Sequence, residues 1–243
     1  MKPILKAANL TKRFGGISAV SSFSFELREG EKLGLIGPNG AGKTTLFNLL
    51  TGVHRPDSGK VEFRGINIIG LPSHKICRMG LVKTHQIPQP FWTLTSRENL
   101  MVALLSNQSI SRRDAEKETL KILDFVGLSH RKDTPASSLL PSELRRLEIA
   151  RALATKPKVL LLDEPFAGSR EKEVEEIMQI INEVNRMGTT IMLIEHRIGV
   201  IIKIADRLMV MHKGEKIAEG VPENVINSKA VIEAYLGGGE DIL

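Results

Sequence analysis

Residues 37–44 have the types and spacing of a phosphate-binding loop. They read Gly37-Pro38-Asn39-Gly40-Ala41-Gly42-Lys43-Thr44, with Thr45 next. The pattern G-x-x-x-x-G-K-[ST] is matched at every fixed position. Glycines let the backbone curl so that its N–H groups point at phosphate oxygens. The lysine of such a loop reaches the β- and γ-phosphates, and the hydroxyl binds Mg²⁺. We therefore expect a nucleoside triphosphate, with Lys43 on its phosphates and Thr44 on Mg²⁺.

Two acidic residues further along the chain can serve the same chemistry. Asp163 and Glu164 follow the apolar run 159–162, which reads as a buried strand. A carboxylate at the end of such a strand can steady Mg²⁺. Glu164 can accept a proton from an attacking water, an effect worth about 10²–10⁴ in rate. The alternative is that both residues cap the following helix, although two acids behind four aliphatic residues are hard to explain structurally.

Two other polar residues are weaker signals when taken alone. His196 follows Glu195 at the end of a second apolar run, 190–194, where it can contact a γ-phosphate. Gln86 precedes a segment that is rich in proline at first, and it can supply an oxygen to Mg²⁺. A lone histidine is more often structural, so His196 gains its weight from its place in the order of motifs.

The segments around the loop fit the strand–loop–helix context that the motif requires. Residues 32–36 form a short apolar run that enters the loop, and residues 46–50 have helical spacing that stops at Gly52. The alternative is a Gly-rich turn that happens to carry a lysine, and both flanks count against it.

Strands and helices alternate along the chain, which predicts an α/β core with a parallel sheet. The runs 159–162 and 190–194 are apolar on both faces, as the central strands of a covered sheet are. Residues 88–110 read as irregular. The remaining expected elements are strands at 4–10, 22–27 and 60–64, helices at 111–126, 141–155 and 169–186, and a hairpin of 208–211 and 216–218.

Size and composition fit a globular protein. The 243 residues are 42% hydrophobic and 26% charged, which is ordinary for folded soluble domains. No apolar run approaches the ~20 residues of a membrane helix, and the first residues lack the apolar core of a signal peptide. The single cysteine, Cys77, cannot form an internal disulfide, which suits a reducing cytoplasm.

The net charge of +6 does not by itself indicate a nucleic-acid partner. The basic residues come in small scattered groups and aromatic residues are only 4% of the chain, so no stacking platform is visible. We expect no nucleic-acid partner. A solvated surface with attraction to the anionic inner face of a membrane accounts for the charge.

Taken in order, these residues resemble the ATP-binding subunits of ABC transporters over nearly the whole chain. Residues 37–45 look like the Walker A motif, and residues 159–164 look like Walker B with its catalytic glutamate. Gln86 looks like the Q-loop, and His196 looks like the switch histidine. The four motifs together are specific to ABC proteins, whereas Walker A alone is specific only to nucleotide binding.

The resemblance implies a fold, ligands and partners. The fold is an α/β P-loop NTPase of the ABC type, one domain over 1–243 with a RecA-like core, an N-terminal antiparallel β-subdomain and an α-helical subdomain at about 88–155. Phe14 falls where the family's adenine-stacking aromatic lies, with Val20 beside it. The implied ligands are ATP and Mg²⁺. The implied activity is ATP hydrolysis at the cytoplasmic face of the membrane, coupled to translocation through membrane permease subunits.

A closer match is to the ATPase subunits of branched-chain, or hydrophobic, amino acid importers. The segments that read like this subfamily are 13–16, 35–48, 145–154 and the ending 234–237. The match implies an extracytoplasmic solute-binding protein that acts through the permease. It also implies a dimer with a second related ATPase subunit, or with a second copy of this chain.

An aromatic pair, Phe91 and Trp92, lies just after Gln86. In the family, the groove at this place receives a short cytoplasmic helix of the permease. We therefore expect either that the pair is exposed and docks that helix, or that Trp92 is packed inside.

Two motifs depart from the family pattern. The signature L-S-x-G-x-Q stands here as Leu139-Leu140-Pro141-Ser142-Glu143-Leu144. Leu140 replaces the serine that touches the other subunit's γ-phosphate, whereas Ser142 could still offer a hydroxyl. Residues 167–170 also differ from the family's D-loop. Both changes concern what this chain contributes across a dimer, so a homodimer and a heterodimer both stay open.

Two other classes of function stay open as well. An ABC protein that acts on nucleic acid or the ribosome usually has tandem ATPase domains or a long coiled-coil insertion, and this chain has neither. A regulatory nucleotide-binding subunit with weak hydrolysis is favoured by the altered signature. The presence of Glu164 and His196 speaks against it.

Overall fold

The computed structural model describes residues 2–106 and 110–236. The strands of these residues form two sheets. The strands are β1 (Pro3–Phe14), β2 (Ile17–Arg28), β3 (Lys32–Ile36), β4 (Ser58–Phe63), β5 (Ile66–Asn67), β6 (Leu81–Lys83), β7 (Val159–Asp163), β8 (Thr190–Ile194), β9 (Arg207–His212) and β10 (Glu215–Gly220). One sheet is antiparallel, with the order β2-β1-β4-β5. The other has the order β10-β9-β3-β8-β7-β6 and is parallel except at β10.

Helices cover the larger sheet and build a separate bundle. They are α1 (Lys43–Leu50), α2 (Ser73–Met79), α3 (Ser96–Leu105), α4 (Arg112–Phe125), α5 (Pro141–Ala154), α6 (Glu171–Arg186), α7 (Ile198–Ile204), α8 (Pro222–Ile226) and α9 (Lys229–Leu236). Every helix in the described residues is too short or too polar to span a bilayer.

Strand β7 is buried on both faces because a different layer covers each one. Leu160 and Leu162 belong to the apolar cluster that contains the inner face of α6. Val159 and Leu161 belong to the cluster that contains α1 and the antiparallel sheet. Successive side chains of a strand point to opposite faces, so a strand between two layers is apolar throughout. The expectation of central parallel strands at 159–162 and 190–194 is confirmed.

Helices α3, α4 and α5 pack against one another, and all three lie within the expected helical subdomain. The start of α4 agrees with the helix expected from Ser111. The Ser111 hydroxyl caps this helix by accepting a hydrogen bond from the Asp114 N–H at 3.1 Å. The sequence also predicts the start of α5 at Pro141, because proline at the first helical position needs no hydrogen-bond partner for its nitrogen.

The expected irregular segment 88–110 is partly wrong, because α3 lies within it. The Thr95 hydroxyl accepts from the Glu98 N–H at 3.2 Å, and the Thr95 N–H donates to the Glu98 carboxylate at 2.8 Å. This reciprocal pair is a capping box, which starts a helix. Asn99 is fully buried in α3, so the helix lacks a uniform apolar face. Residues 107–109 lie outside the described residues.

Other elements also differ from the sequence-based expectation. Strands β1 and β2 extend past the expected 4–10 and 22–27, and α2, β6, α7, α8 and α9 have no counterpart in it. The hairpin expected at 208–211 and 216–218 is confirmed by β9 and β10. Of the family-like ending at 234–237, Gly237 lies outside the described residues.

Candidate active site

The phosphate-binding loop lies between β3 and α1, and its shape depends on glycine. Gly42 has φ +106°, and a Cβ at this position would lie 2.0 Å from the carbonyl oxygen of Ala19. A Cβ at Gly37 would lie 2.0 Å from the carbonyl oxygen of Met211. No side chain fits at either place, so the backbone of the loop is pressed against the strands on both sides of it.

Lys43 opens α1 and folds back over the loop. Its side chain is only 6% exposed, and its Nζ donates to the carbonyl oxygens of Gly37 at 2.5 Å and Pro38 at 2.9 Å. These bonds hold the ammonium group within the curve of the loop. The α1 N-terminus, the loop N–H groups and this cation together suit an anionic phosphate.

Asp163 ends strand β7, and the Thr44 hydroxyl of the loop is close enough to its carboxylate to affect its pKa. Asp163 is 1% exposed. Burial, together with the nearby Glu164 charge, raises the pKa of Asp163 to about 6 against the opposing effects of Lys83, Lys43 and Thr44. Within the described residues its Oδ1 has no hydrogen-bond partner. A buried carboxylate oxygen without a partner, next to a threonine hydroxyl, fits a hard divalent cation that takes oxygen ligands.

Glu164 and His196 meet where the adjacent parallel strands β7 and β8 end. Glu164 has φ +50°, and its N–H donates to the carbonyl oxygen of Ile194 at 3.1 Å. Its Oε1 lies 2.7 Å from His196 Nε2. Helix α6 begins only at residue 171, so the alternative that Asp163 and Glu164 cap the next helix is wrong.

A neighbouring acid, Glu195, shapes the turn that carries His196. Glu195 is 2% exposed, and its Oε1 accepts the N–H groups of His196 and Arg197, both at 3.0 Å. Burial raises the pKa of Glu195. In the sequence, Glu195 stands out only as an acid in the last position before the turn, next to His196.

Gln86 lies in the stretch that follows strand β6, and another residue of this stretch contacts Asp163. The neighbouring Thr84 accepts the Asp163 N–H on its hydroxyl at 3.2 Å, and its own N–H donates to the Leu161 carbonyl at 2.9 Å. Gln86 itself is exposed, and its carbonyl oxygen accepts from Arg145 of α5. The structure thus places the Gln86 segment between the end of β6 and helix α5.

Phe14 and Val20 have different surroundings. Phe14 is 45% exposed at the end of β1. Its ring meets the His54 ring edge-on, with centroids 5.3 Å apart, and Lys12 Nζ lies 5.5 Å from its centroid. Val20 is fully buried in the core, so its side chain offers no exposed surface to a base in this structure.

The altered signature lies at the start of α5. Leu140 is 57% exposed, and its N–H donates to Glu143 Oε2 at 2.8 Å. Glu143 is buried and accepts from Arg131 Nε at 2.8 Å. Ser142 is buried as well, and its hydroxyl lowers the pKa of the Glu173 carboxylate of α6. The hydroxyl that Ser142 was expected to offer is therefore buried beside α6 and is not on the exposed surface of this chain.

Three apolar side chains that follow Gln86 in the chain are exposed, namely Ile87 and the aromatic pair. Phe91 is 45% exposed, Trp92 47% and Ile87 70%. The alternative that Trp92 is packed inside is wrong for this structure.

The fold and the loop define an α/β P-loop nucleotide-binding protein. Residues 20–167 match the family model described as ABC transporter. Residues 215–241 match the model described as Branched-chain amino acid ATP-binding cassette transporter. The chain belongs to the ABC transporter family, and the prediction of an ABC-type ATPase is confirmed.

Relatives and solved structures agree with this assignment. The chain is 42% identical over 251 residues to the high-affinity branched-chain amino acid transport ATP-binding protein LivG of Salmonella typhimurium, covering 97% of this chain and 98% of that protein. It is 39% identical to BraF of Pseudomonas aeruginosa, which has the same descriptive name, with the same two coverages. The ADP conformation of MJ1267, an ATP-binding cassette of an ABC transporter, superposes with a TM-score of 0.88 at 33% identity, covering 98% of this chain and 100% of that one. The dimeric structure of MJ0796, a bacterial ABC transporter cassette, gives 0.83 at 26% identity, covering 90% and 98%.

Proposed function

We propose that this chain is an ATP-hydrolysing subunit of an importer for branched-chain or other hydrophobic amino acids. The observation that carries the proposal is the 42% identity to LivG, which extends over 97% of this chain. The match of residues 215–241 to a branched-chain amino acid cassette model supports the same solute class.

The chemistry of hydrolysis follows from the residues at the ends of β3, β7 and β8. The loop and Lys43 bind the phosphates of ATP. Thr44 and Asp163, with Gln86, hold Mg²⁺, which when bound neutralises phosphate charge. Glu164 accepts a proton from the attacking water. His196 holds Glu164 by the 2.7 Å contact, and its role in this proposal is to contact the γ-phosphate. Phe14 supports the adenine on its exposed ring.

Partners follow from the family and from two surfaces of this chain. We infer that membrane permease subunits hold the protein at the cytoplasmic face of the membrane. One short permease helix docks on the exposed Ile87, Phe91 and Trp92, since aromatic anchors of this kind suit helix-in-groove binding. An extracytoplasmic solute-binding protein acts through the permease and has no contact with this chain.

The second ATPase subunit is a related chain with an intact signature rather than a second copy of this one. Leu140 offers a γ-phosphate no hydroxyl, and Pro141 has no N–H. Ser142 is buried, and its hydroxyl lies on the side of Glu173 within the chain. A partner with a complete signature supplies the missing donors at this chain's Walker site.

ATP turnover by the purified chain, measured alone and together with its permease and second ATPase subunit in proteoliposomes, tests the function. We expect low turnover alone, higher turnover in the complex, and ATP-dependent uptake of labelled leucine. Low turnover in both states, with no uptake, would favour the regulatory subunit instead. Turnover in the complex without uptake of any branched-chain amino acid would contradict the solute class and leave the ATPase intact.

A further inference from the structure

The backbone of residues 85–90 is held by one helix, α5. The Glu148 Oε1 accepts from the His85 N–H at 2.6 Å. Farther along α5, Arg151 Nη1 donates to the Gln89 carbonyl at 2.6 Å. Arg145 donates to the Gln86 carbonyl in the same way. We call Arg145, Glu148 and Arg151 the α5 row.

The α5 row follows from helical spacing. Its members are three residues apart, so they lie on neighbouring positions of one side of the helix. In the described residues no other hydrogen bond reaches the backbone of 85–90. Pro88 and Pro90 have no N–H to offer, and the segment forms neither helix nor strand. The hydrogen bonds that hold its backbone therefore come from the row, in addition to the packing of the buried Pro90.

Glu148 connects this support to the candidate active site. Its carboxylate is buried, with 8% of the residue exposed. Burial raises the pKa of Glu148 to about 7, against the opposing effects of the His85 N–H, Arg145 and Arg151. The charge of Asp163 acts on Glu148 in the same direction as burial. The two acids also meet through consecutive residues, because Glu148 accepts the His85 N–H and the Thr84 hydroxyl accepts the Asp163 N–H.

The other end of the row reaches the exposed aromatic pair. The Arg151 guanidinium lies 5.1 Å from the centroid of the Phe91 ring, in cation–π geometry. One helix face therefore contacts the start of the segment beside Asp163 and its end beside Trp92.

We propose that Glu148 is a positioning residue. Together with Arg145 and Arg151 it holds the Gln86 segment so that Gln86 and Asp163 bind the same cation. The same contacts link binding of that cation to the position of Phe91 and Trp92. The proposal rests on the proposed function in taking Gln86 and Asp163 as Mg²⁺ ligands. Glu148 acts through the His85 N–H and has no contact with the phosphates.

Trp92 is the only tryptophan of the chain, so its fluorescence reports on the far end of the segment. The full-length chain is incubated with the non-hydrolysable analogue AMP-PNP, and Mg²⁺ is titrated while Trp92 emission is recorded. Metal-free AMP-PNP binding is measured separately by equilibrium dialysis. The variants are Glu148→Ala, Glu148→Gln and Arg145→Ala. Arg146→Ala is the matched control, because Arg146 is on the same helix but pairs with Glu176.

We expect Glu148→Ala to need roughly 10–100-fold more Mg²⁺ for the half-maximal Trp92 response, as is typical when a residue behind a metal ligand is removed. Glu148→Gln restores most of the response, because its amide oxygen still accepts from His85. Arg145→Ala shifts the midpoint in the same direction and Arg146→Ala does not. Metal-free AMP-PNP binding is unchanged in all variants, because the phosphate loop is intact.

Equal Mg²⁺ midpoints for Glu148→Ala and the wild type overturn the proposal. The proposal is also overturned if the wild type binds AMP-PNP but its Trp92 emission does not change when Mg²⁺ is added. If Glu148→Ala does not fold, Arg145→Ala against Arg146→Ala decides, and equal midpoints for these two overturn it too. A wild type that binds no AMP-PNP at all contradicts the proposed function and with it the basis of this inference.

Discussion

The carboxylate of Glu164 lies 2.7 Å from Nε2 of His196, although the two residues are 32 positions apart. Strands β7 and β8 pair in parallel, with Asp163 opposite Ile194, so the residues that follow both strands emerge at the same edge of the sheet. With the proton on Nε2, the ring donates to Glu164 and fixes one carboxylate oxygen. The other oxygen stays available for a water.

Glu164→Gln keeps the shape of the side chain and removes the base. We expect ATP binding to persist and turnover to fall by about 10² or more, because general-base assistance is lost. Steady-state ATPase assays and nucleotide binding measure the two effects. The control is Glu171→Gln, an exposed acid in the first turn of α6. Unchanged turnover in Glu164→Gln would mean that another group positions the water.

Lys43→Ala removes the cation that bridges the Gly37 and Pro38 carbonyls. We expect loss of ATP binding, because the one ammonium group that the loop offers to the phosphates is removed. The unfolding midpoint falls slightly, since Lys43 also braces the loop. Isothermal titration with ATP and thermal unfolding measure these effects, and Lys172→Ala, on the exposed start of α6, is the control. Wild-type affinity in Lys43→Ala would refute the assignment of this loop.

Trp92→Ala removes half-exposed apolar surface near the Gln86 segment. We expect transport to be lost while basal ATPase activity and stability are kept, because the anchor for the permease helix is gone. The measurements are solute uptake, ATPase activity and melting temperature in the same preparation. Ile66→Ala, which removes another exposed apolar side chain, serves as the control. Normal transport, or a melting temperature several degrees lower, would show that Trp92 has no docking role.

The Glu31–Arg207 ion pair makes stability depend on pH. Arg207 donates to both carboxylate oxygens of Glu31, from Nε at 2.6 Å and from Nη2 at 2.8 Å, and also to the Glu26 carbonyl at 2.6 Å. Burial raises the pKa of Glu31, but the hydrogen bonds from Arg207 and the Arg28 N–H outweigh it and hold the pKa below its usual value of 4.5. The stabilisation is therefore complete above that value and is lost as the pH falls through the lower folded pKa.

We expect Arg207→Ala to lower the free energy of unfolding by about 3 kcal/mol at pH 7, because it leaves a buried carboxylate unpaired. The stability difference between the wild type and Glu31→Gln should shrink as the pH is lowered from 7 to about 3. Urea unfolding across this range measures both effects. Glu26→Gln, which breaks an exposed pair with Lys6, should change little. A difference that does not vary with pH would contradict the role of the Glu31 charge.

A heterodimer should hydrolyse ATP mainly at one of its two sites. The site formed by this chain's Lys43 and Glu164 meets the partner's signature, whereas the opposite site meets Leu140 and Pro141. The opposite site lacks one or two charge-assisted hydrogen bonds, each worth roughly 1.5–3 kcal/mol. The test replaces the catalytic glutamate in one subunit at a time. We expect Glu164→Gln in this chain to remove most activity and the partner's replacement to remove little. Equal losses, or full activity of this chain as a homodimer, would contradict the asymmetry.

The sequence predicts where the candidate site residues lie in the fold better than it predicts what surrounds them. Lys43, Glu164 and His196 each follow a short apolar strand, and parallel strands bring such positions to one edge. The proximity of Glu148 to His85 has no local signal, since 63 residues and two helices separate them. A glutamate in a helix that also carries several arginines reads as solvent-exposed until the tertiary structure places it against a backbone N–H.

Helix α3 shows the same limit in the fold. Its buried Asn99 donates to the carbonyls of Phe91 and Leu94, so a polar residue stands where the helical pattern needs an apolar one. The Thr95 and Glu98 capping box was readable in the sequence. The length of β1 was not, because residues 11–14 are mostly polar and pair through irregular register with β2.

The shape of the phosphate loop depends on strands that carry none of its motif residues. The Ala19 and Met211 carbonyls close against Gly42 and Gly37, and the Gly214 N–H donates to the Ala41 carbonyl at 2.9 Å. A fragment that ends at residue 167, where the match to the ABC transporter family model ends, keeps Lys43 and Glu164 yet lacks two of these three supports, those from Met211 and Gly214. Competence for nucleotide binding in this chain is therefore not separable at the motif boundaries, and the last hairpin is as much a part of the phosphate cradle as the glycines themselves.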